Sequence, residues 1–222
     1  MTDNLKLSHH QQRAFQPEKL SAPRNFMIPK IMVDGKLPVL LEIGAGKGKH
    51  ALSFAKQNSD KHLIAVERTR NKYDAFAKLA GQQSLSNLSA IHADAIAWIV
   101  HAMAPNSIER IFILYPNPEQ HNPNQQWLNM PFFEFLLSRL QVGGEVVLAT
   151  NIEAYIDNAE RQASDVWCLP NTRQKVADTS QRTHFEVKYL ARGETCWQLN
   201  MQKPEGYQTR FDHWSAINDI EK

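Results

Sequence analysis

Between residue 37 and about residue 203 the chain alternates short apolar runs with stretches of helical spacing. "PVLLEIG" precedes "KGKHALSFAKQN", "HLIAVER" precedes "NKYDAFAKLAGQQ", and "NLSAIHAD" precedes "AIAWIVHAM". "IERIFILYP" then leads to "MPFFEFLLSRL", and "GGEVVLAT" follows. Runs this apolar must be covered on both faces, and the intervening helices are the elements available to cover them. The pattern therefore predicts an α/β fold with a mostly parallel sheet and helices on both faces.

The flanks read differently. Residues 1–36 mix His, Gln, Pro and Lys without clean periodicity and are expected to form an N-terminal extension. Residues 37–203 are the expected domain, and 204–222 form a polar tail in which Phe211 and Trp214 are candidate anchors. A chain of 222 residues is long enough for one domain with a sizeable core. Net charge is only +2, which gives no global signature of a nucleic-acid binder but leaves room for a local patch. Cys168 and Cys196 make neither a metal motif nor a disulfide framework, which suits a reducing cytoplasm. The polar N-terminus lacks a signal-peptide core, and no apolar run approaches the ~20 residues needed to span a bilayer. His9 and His10 have no partner at metal-ligand spacing and are expected at the surface; no metal is expected.

The first apolar run ends in "LEIGAGKGKH", with Glu42, Gly44, Gly46 and Gly48. Glycines after a first strand let the backbone turn sharply and approach a ligand closely. The dinucleotide fingerprint G-x-G-x-x-G would need glycine where Lys49 stands, and no Gly-Lys-Ser/Thr follows to make a phosphate-binding loop. Glu67 ends the second strand, where a carboxylate can accept hydrogen bonds from both hydroxyls of a ribose. Asp94 ends the third; it can cap the next helix or accept from an adenine amino group. Acids at three successive strand ends around a glycine turn, without a basic phosphate cradle, favour S-adenosylmethionine, a cationic sulfonium carrying no phosphate.

"LEIGAGKG", "IAVE" and "HADA" resemble the cofactor motifs of class I methyltransferases. Three later segments narrow the resemblance. "YPNP" is similar to the Pro-Asp-Pro-Trp element of the tRNA guanine-N7 methyltransferase family. "RLQVGGEVVLATNIEAY" is similar to that family's glycine-turn strand ending in Thr-Asp-x-x-x-Tyr, and "THFEVKYLARGETCW" to its Thr-x-Phe-Glu segment. The likeness covers roughly residues 38–201. It implies a Rossmann-like, seven-stranded, mostly parallel sheet, a monomer or homodimer, and methyl transfer from S-adenosylmethionine to N7 of a guanine in tRNA. By the same resemblance Glu42, Gly44, Gly46, Gly48, Glu67, Asp94 and Asn117 would hold the cofactor. Asn117 would also stand at the methyl-transfer site, and Asn151, Thr183 and Glu186 would touch substrate.

The departures from the family pattern fall on the acceptor side. Asn117 replaces the family's Asp, Glu119 its Trp, and Asn151 the Asp after the fifth-strand Thr. The basic loop becomes "EQHNPNQQW", where His121 is the sole candidate cation. A substrate loop stripped of charge is thus expected, with weak phosphate contact. Guanine N7 is already a lone pair, so no base need remove a proton; alignment and stabilisation of the cationic purine are what the chemistry requires. Charge loss at positions 117 and 151 therefore predicts that Asn117→Asp or Asn151→Asp improves a guanine enzyme. Asn followed by Pro also resembles amino-group methyltransferases, which leaves a different acceptor as an alternative, and a non-catalytic cofactor-binding paralogue as a third. Thr183 and Glu186 could equally lie on an exposed strand face. Trp197 and Tyr155 read as core packing rather than as stacking platforms.

Overall fold

A computed structural model describes residues 12–30 and 37–216. His9 and His10 lie outside the described residues. The sheet has seven strands: β1 (Val39–Ile43), β2 (His62–Glu67), β3 (Leu88–His92), β4 (Ile108–Leu114), β5 (Leu140–Thr150), β6 (Asn171–Lys175) and β7 (Trp197–Gln202). Their order is β3-β2-β1-β4-β5-β7-β6. β1 to β5 pair in parallel, whereas β7 runs antiparallel to both β5 and β6. The expected α/β class and mostly parallel sheet are both observed.

Helices α1 (Lys49–Gln57), α2 (Arg70–Gln83), α3 (Ala95–Ala102), α4 (Phe132–Arg139), α5 (Glu153–Arg161) and α6 (His184–Leu190) connect the strands. Side chains alternate across a strand, so consecutive leucines serve opposite faces. Leu41, with Ile43 and Ile64, joins a core closed by Trp98 of α3, Phe133 and Leu136 of α4, and Ile156 of α5. Leu40, with Leu63 and Ala65, joins a second core closed by Ala51 and Leu52 of α1 and Phe76 of α2. Every residue of β2 is buried, which explains why it reads as an apolar run rather than as alternation. Full burial of a side chain such as Phe133 contributes about 2–3 kcal/mol.

The two flanks converge on the first core. Phe15 meets the ring of Phe132 edge-on at 5.2 Å, and Phe211 lies 5.5 Å from Phe135. Arg139, fully buried at the end of α4, donates to the carbonyls of Met103 at 2.9 Å, Phe211 at 2.7 Å and Trp214 at 3.0 Å. Burial pulls its guanidinium pKa down to about 10, against the pull of Asp212. Glu134 is buried beside it and receives both the backbone and the guanidinium of Arg210.

One expectation about elements needs correcting. The segment holding Thr183 and Glu186 is not a strand face: Thr183 caps helix α6, and its Oγ1 accepts from the Glu186 N–H at 3.0 Å. A Thr three residues before a Glu is a helix-start signature, and here it outweighs the β-branched and aromatic content of the segment. Tyr155 is buried in the first core as expected, with its phenol pushed up to about 12 by burial. Trp197 is only partly buried and carries the Arg173 guanidinium over its ring at 4.3 Å.

Candidate active site

β1 pairs with β2 on one side and β4 on the other, so successive crossovers depart in opposite directions from this point. Such a reversal opens a crevice beyond the carboxyl ends of the strands, where α/β folds bind ligands. A cleft of about 340 Å³ lies there, and Gly44, Gly46, Glu67, Asp94, Asn117 and Glu119 line it. The sequence-predicted residues thus divide into those that border the cleft and those that do not.

Glu67 is 5% exposed and holds the glycine turn. One carboxylate oxygen accepts from Gly46 N–H at 2.8 Å and the other from Thr69 N–H at 2.6 Å. Each oxygen keeps lone-pair capacity for a ligand hydroxyl. Gly46 adopts a left-handed φ of +60°, and a Cβ placed there would meet nothing within 4 Å, because that side of the turn faces open cleft. Asp94 takes both parts foreseen for it. Its Oδ1 caps α3 through Ile96 N–H at 3.1 Å and Ala97 N–H at 3.2 Å, while the half-exposed carboxylate borders the cleft.

Glu42 and Gly48 stand outside the lining. Glu42 turns inward, 2% exposed, and pairs with His50 Nδ1 at 2.9 Å. Gly48 packs instead: a Cβ there would fall 2.0 Å from Cδ2 of Phe76. The glycine turn therefore has one side open to a ligand and the other pressed against α2.

The segment after β4 explains its Asn, Gln and Pro content. Gln126 donates to the Pro118 carbonyl at 3.1 Å, and Asn129 to the Pro123 carbonyl at 2.8 Å. Asn158 of α5 donates to Gln126 at 2.9 Å and to Asn129 at 3.0 Å. These amides hold an irregular loop rigid without charge. The cleft has nevertheless not lost its charge, as the sequence had suggested. Asn117 is exposed in the cleft and its Nδ2 donates to Glu119 Oε1 at 2.7 Å. That bond commits an amide N–H of Asn117 to Glu119, so the acceptors this pair can offer are the Asn117 carbonyl and the Glu119 carboxylate beside it. Asn151 repeats the arrangement, donating to Glu194 Oε2 at 2.7 Å, but it does not line the cleft.

Thr183 and Glu186 do not line it either. Glu186 is fully buried, accepting from Tyr115 O–H at 2.8 Å, from Arg182 and from Ser180. Burial opposes its ionisation, but the bonds from Arg182 and Ser180 and the positive charge of Arg182 outweigh it and hold the carboxyl below its ordinary value. Glu186 thus ties α6 to the end of β4. The residue of this segment that does reach the cleft is Phe185, which is 45% exposed. Sequence reasoning missed it because the helix was unread: on a helix, neighbours diverge by about 100°, so a buried Glu186 turns Phe185 outward. Arg68 and Lys72 add positive charge at the rim.

Residues 36–199 match the profile of a family described as "Putative methyltransferase". The chain belongs to this methyltransferase family. Among curated relatives, the methyltransferase is 29% identical over 174 residues to the tRNA (guanine-N(7)-)-methyltransferase of Burkholderia lata, covering 75% of this chain and 67% of that one. It is 27% identical over 198 residues to the enzyme of the same name from Cupriavidus metallidurans, covering 85% and 72%. Among solved structures it superposes on the 16S rRNA methyltransferase KamB with a TM-score of 0.62 at 15% identity, covering 79% of this chain and 92% of that one. An antibiotic-related methyltransferase gives 0.57 at 14% identity, covering 88% and 97%. These two likenesses establish the class I methyltransferase fold. No helix among the described residues of the methyltransferase is long and apolar enough to cross a membrane.

Proposed function

We propose that this chain transfers a methyl group from S-adenosylmethionine to N7 of a guanine in tRNA. The observation that carries the reading is that the Glu67-held glycine turn and the Asn117–Glu119 pair line one and the same cleft. The activity for which the curated relatives are named supports the acceptor. The residues fit the cofactor: Glu67 offers two acceptors to a ribose, the exposed edge of Asp94 offers one to an adenine amino group, and the turn at Gly46 leaves room for close approach. S-adenosylmethionine supplies an electrophilic methyl carbon on a cationic sulfur.

The chain's own part is alignment and charge. The Asn117 carbonyl and the Glu119 carboxylate can accept from the N1–H and N2–H₂ donors of guanine and orient N7. Glu119 also stabilises the positive charge that arrives on the purine, and such stabilisation is strongest where water is excluded. No proton has to leave N7. We place the enzyme in the cytoplasm with its tRNA; the free thiols of Cys168 and Cys196 are compatible with a reducing compartment.

The test is transfer of labelled methyl from S-adenosylmethionine into separate tRNA, protein and small-molecule extracts, followed by nucleoside digestion of the tRNA. Label recovered as 7-methylguanosine is the expected result. Label confined to protein or small molecules, or no transfer at all, would sink the proposal.

A second reading follows from one observation: with its amide nitrogen on Glu119, Asn117 presents a carbonyl, which could also hold an amine acceptor. Mutants separate the two. The improvement expected above for Asn117→Asp changes sign once Glu119 is taken into account. The substitution removes the amide N–H that holds the pair together and sets a second carboxylate against the first, so the paired geometry is lost. Asn117→Asp alone should slow guanine methylation about tenfold, the equivalent of ~1.4 kcal/mol. Asn117→Asp combined with Glu119→Gln keeps one charge and one amide and should return turnover to near wild type. For an amine acceptor both variants should be slow, because a charge at position 117 favours the protonated, non-nucleophilic amine. Steady-state turnover of the single and double mutants decides between them.

A further inference from the structure

We propose that Phe185 is the stacking platform of this site and that the acceptor reaches it as an unpaired, extruded nucleobase. The inference rests on the nucleic-acid reading above and adds the residue that receives the base. Among the described residues four large apolar side chains are exposed, Met27, Leu79, Val142 and Phe185. Of these, Phe185 alone borders the cleft.

Its placement is built. The ring lies nearly parallel to Tyr189, at 18° and 6.0 Å between centroids, and Tyr189 in turn leans on Tyr115 at 5.8 Å. Tyr115 follows β4 directly, in a left-handed conformation, φ +53°, a state that a bulky residue seldom adopts. Its hydroxyl donates to Glu186, the neighbour of Phe185 on α6, which is locked by Arg182 and Ser180. Three aromatic rings are thus fixed in a row that starts at the acceptor loop and ends at the cleft.

With Tyr189 against the ring, the exposed remainder of Phe185 is what a ligand meets. A flat π surface beside a carbonyl and a carboxylate selects a flat ligand with N–H donors on its edge, which describes a purine base. A base within a duplex or a stacked tRNA core cannot lie on that ring, so it must leave its stack, and stacking on an aromatic side chain offsets part of the cost of unstacking. Any base has a π face, so Phe185 supplies affinity while Asn117 and Glu119 supply the choice of base.

The experiment compares wild type with Phe185→Ala, Phe185→Leu and Phe185→Tyr in two assays. Each protein is first titrated with S-adenosylhomocysteine, and unchanged affinity shows an intact fold and cofactor site. The first assay is steady-state methyl transfer to total tRNA. Removing the ring should raise KM for tRNA about tenfold in both the Ala and Leu variants, the scale of one lost base stack, with Tyr close to wild type. The second is quenching of 2-aminopurine fluorescence in a single-stranded RNA added to the S-adenosylhomocysteine-loaded protein. Wild type and Phe185→Tyr should quench, and the Ala and Leu variants should not. A Leu variant that behaves like wild type in both assays would reduce Phe185 to an apolar contact and overturn the proposal. Equal quenching by wild type and Phe185→Ala, or none by wild type, would overturn it as well. If wild type transfers no methyl to tRNA, the proposed reaction fails, and the quenching result alone then supports or overturns the stacking role.

Discussion

Glu67→Ala is expected to lower affinity for S-adenosylhomocysteine by roughly 100-fold or more. Hydrogen bonds to a charged acceptor are each worth about 1.5–3 kcal/mol, and the substitution removes two from the proposed ribose contact. It also strips the protein of its own bonds. Gly46 N–H and Thr69 N–H, now held at 2.8 and 2.6 Å, lose their acceptor, and Gly46 sits in the turn that lines the cleft. An unsatisfied backbone donor of this kind costs about 1–3 kcal/mol, enough to lower Tm by ~2–10 °C in a chain of this size. Glu67→Gln retains one acceptor and loses the charge, so it should fall between. Titration calorimetry and thermal melts of the three proteins check this. Wild-type affinity in Glu67→Ala would mean that the carboxylate does no more than pin the turn.

The second large effect separates two glycines of one turn. Gly44 and Gly48 share a φ of +79°, yet a Cβ at Gly44 would meet nothing within 4 Å, whereas at Gly48 it would overlap the fully buried ring of Phe76. A left-handed backbone alone costs an L-residue roughly 1–2 kcal/mol. Forcing a methyl into a closed core adds about 1–3 kcal/mol. Gly44→Ala should therefore cost about 1–2 kcal/mol, and Gly48→Ala about 2–5 kcal/mol. Urea titrations of both variants give the comparison directly. Equal costs would show that α2 shifts to admit the methyl.

How much of this could be read beforehand follows from what each feature depends on. The strands and most helices were legible because their apolar pattern is local, and the fully buried β2 announced a covered parallel sheet. Glu67 and Asp94 were legible because a strand end fixes where a side chain points. The acceptor side was legible only in part. Asn117 read as a lost charge because its partner, Glu119, sits on a left-handed residue, φ +47°, that turns the two side chains together. Asn151 depends on Glu194, and Glu42 on a histidine at the start of α1; no periodicity encodes such pairs. Phe185 was hidden because the helix that turns it outward begins at a Thr cap whose surroundings look like a strand.

The clasp formed by Arg139 has a consequence for how the protein is made. Its guanidinium is committed to carbonyls of Phe211 and Trp214, while α4, which carries it, packs under β4 and β5. While a ribosome still holds the tail, the nascent sheet has its strands in hand, but the Arg139 guanidinium keeps only Met103 of its three carbonyl partners, and an under-bonded buried charge is strongly destabilising. Closure of that face therefore waits until Phe211 and Trp214 have emerged. The tail is accordingly the last piece of the core, and a chain cut short before Tyr207 should leave translation as a substrate for proteases rather than as a slightly shortened enzyme.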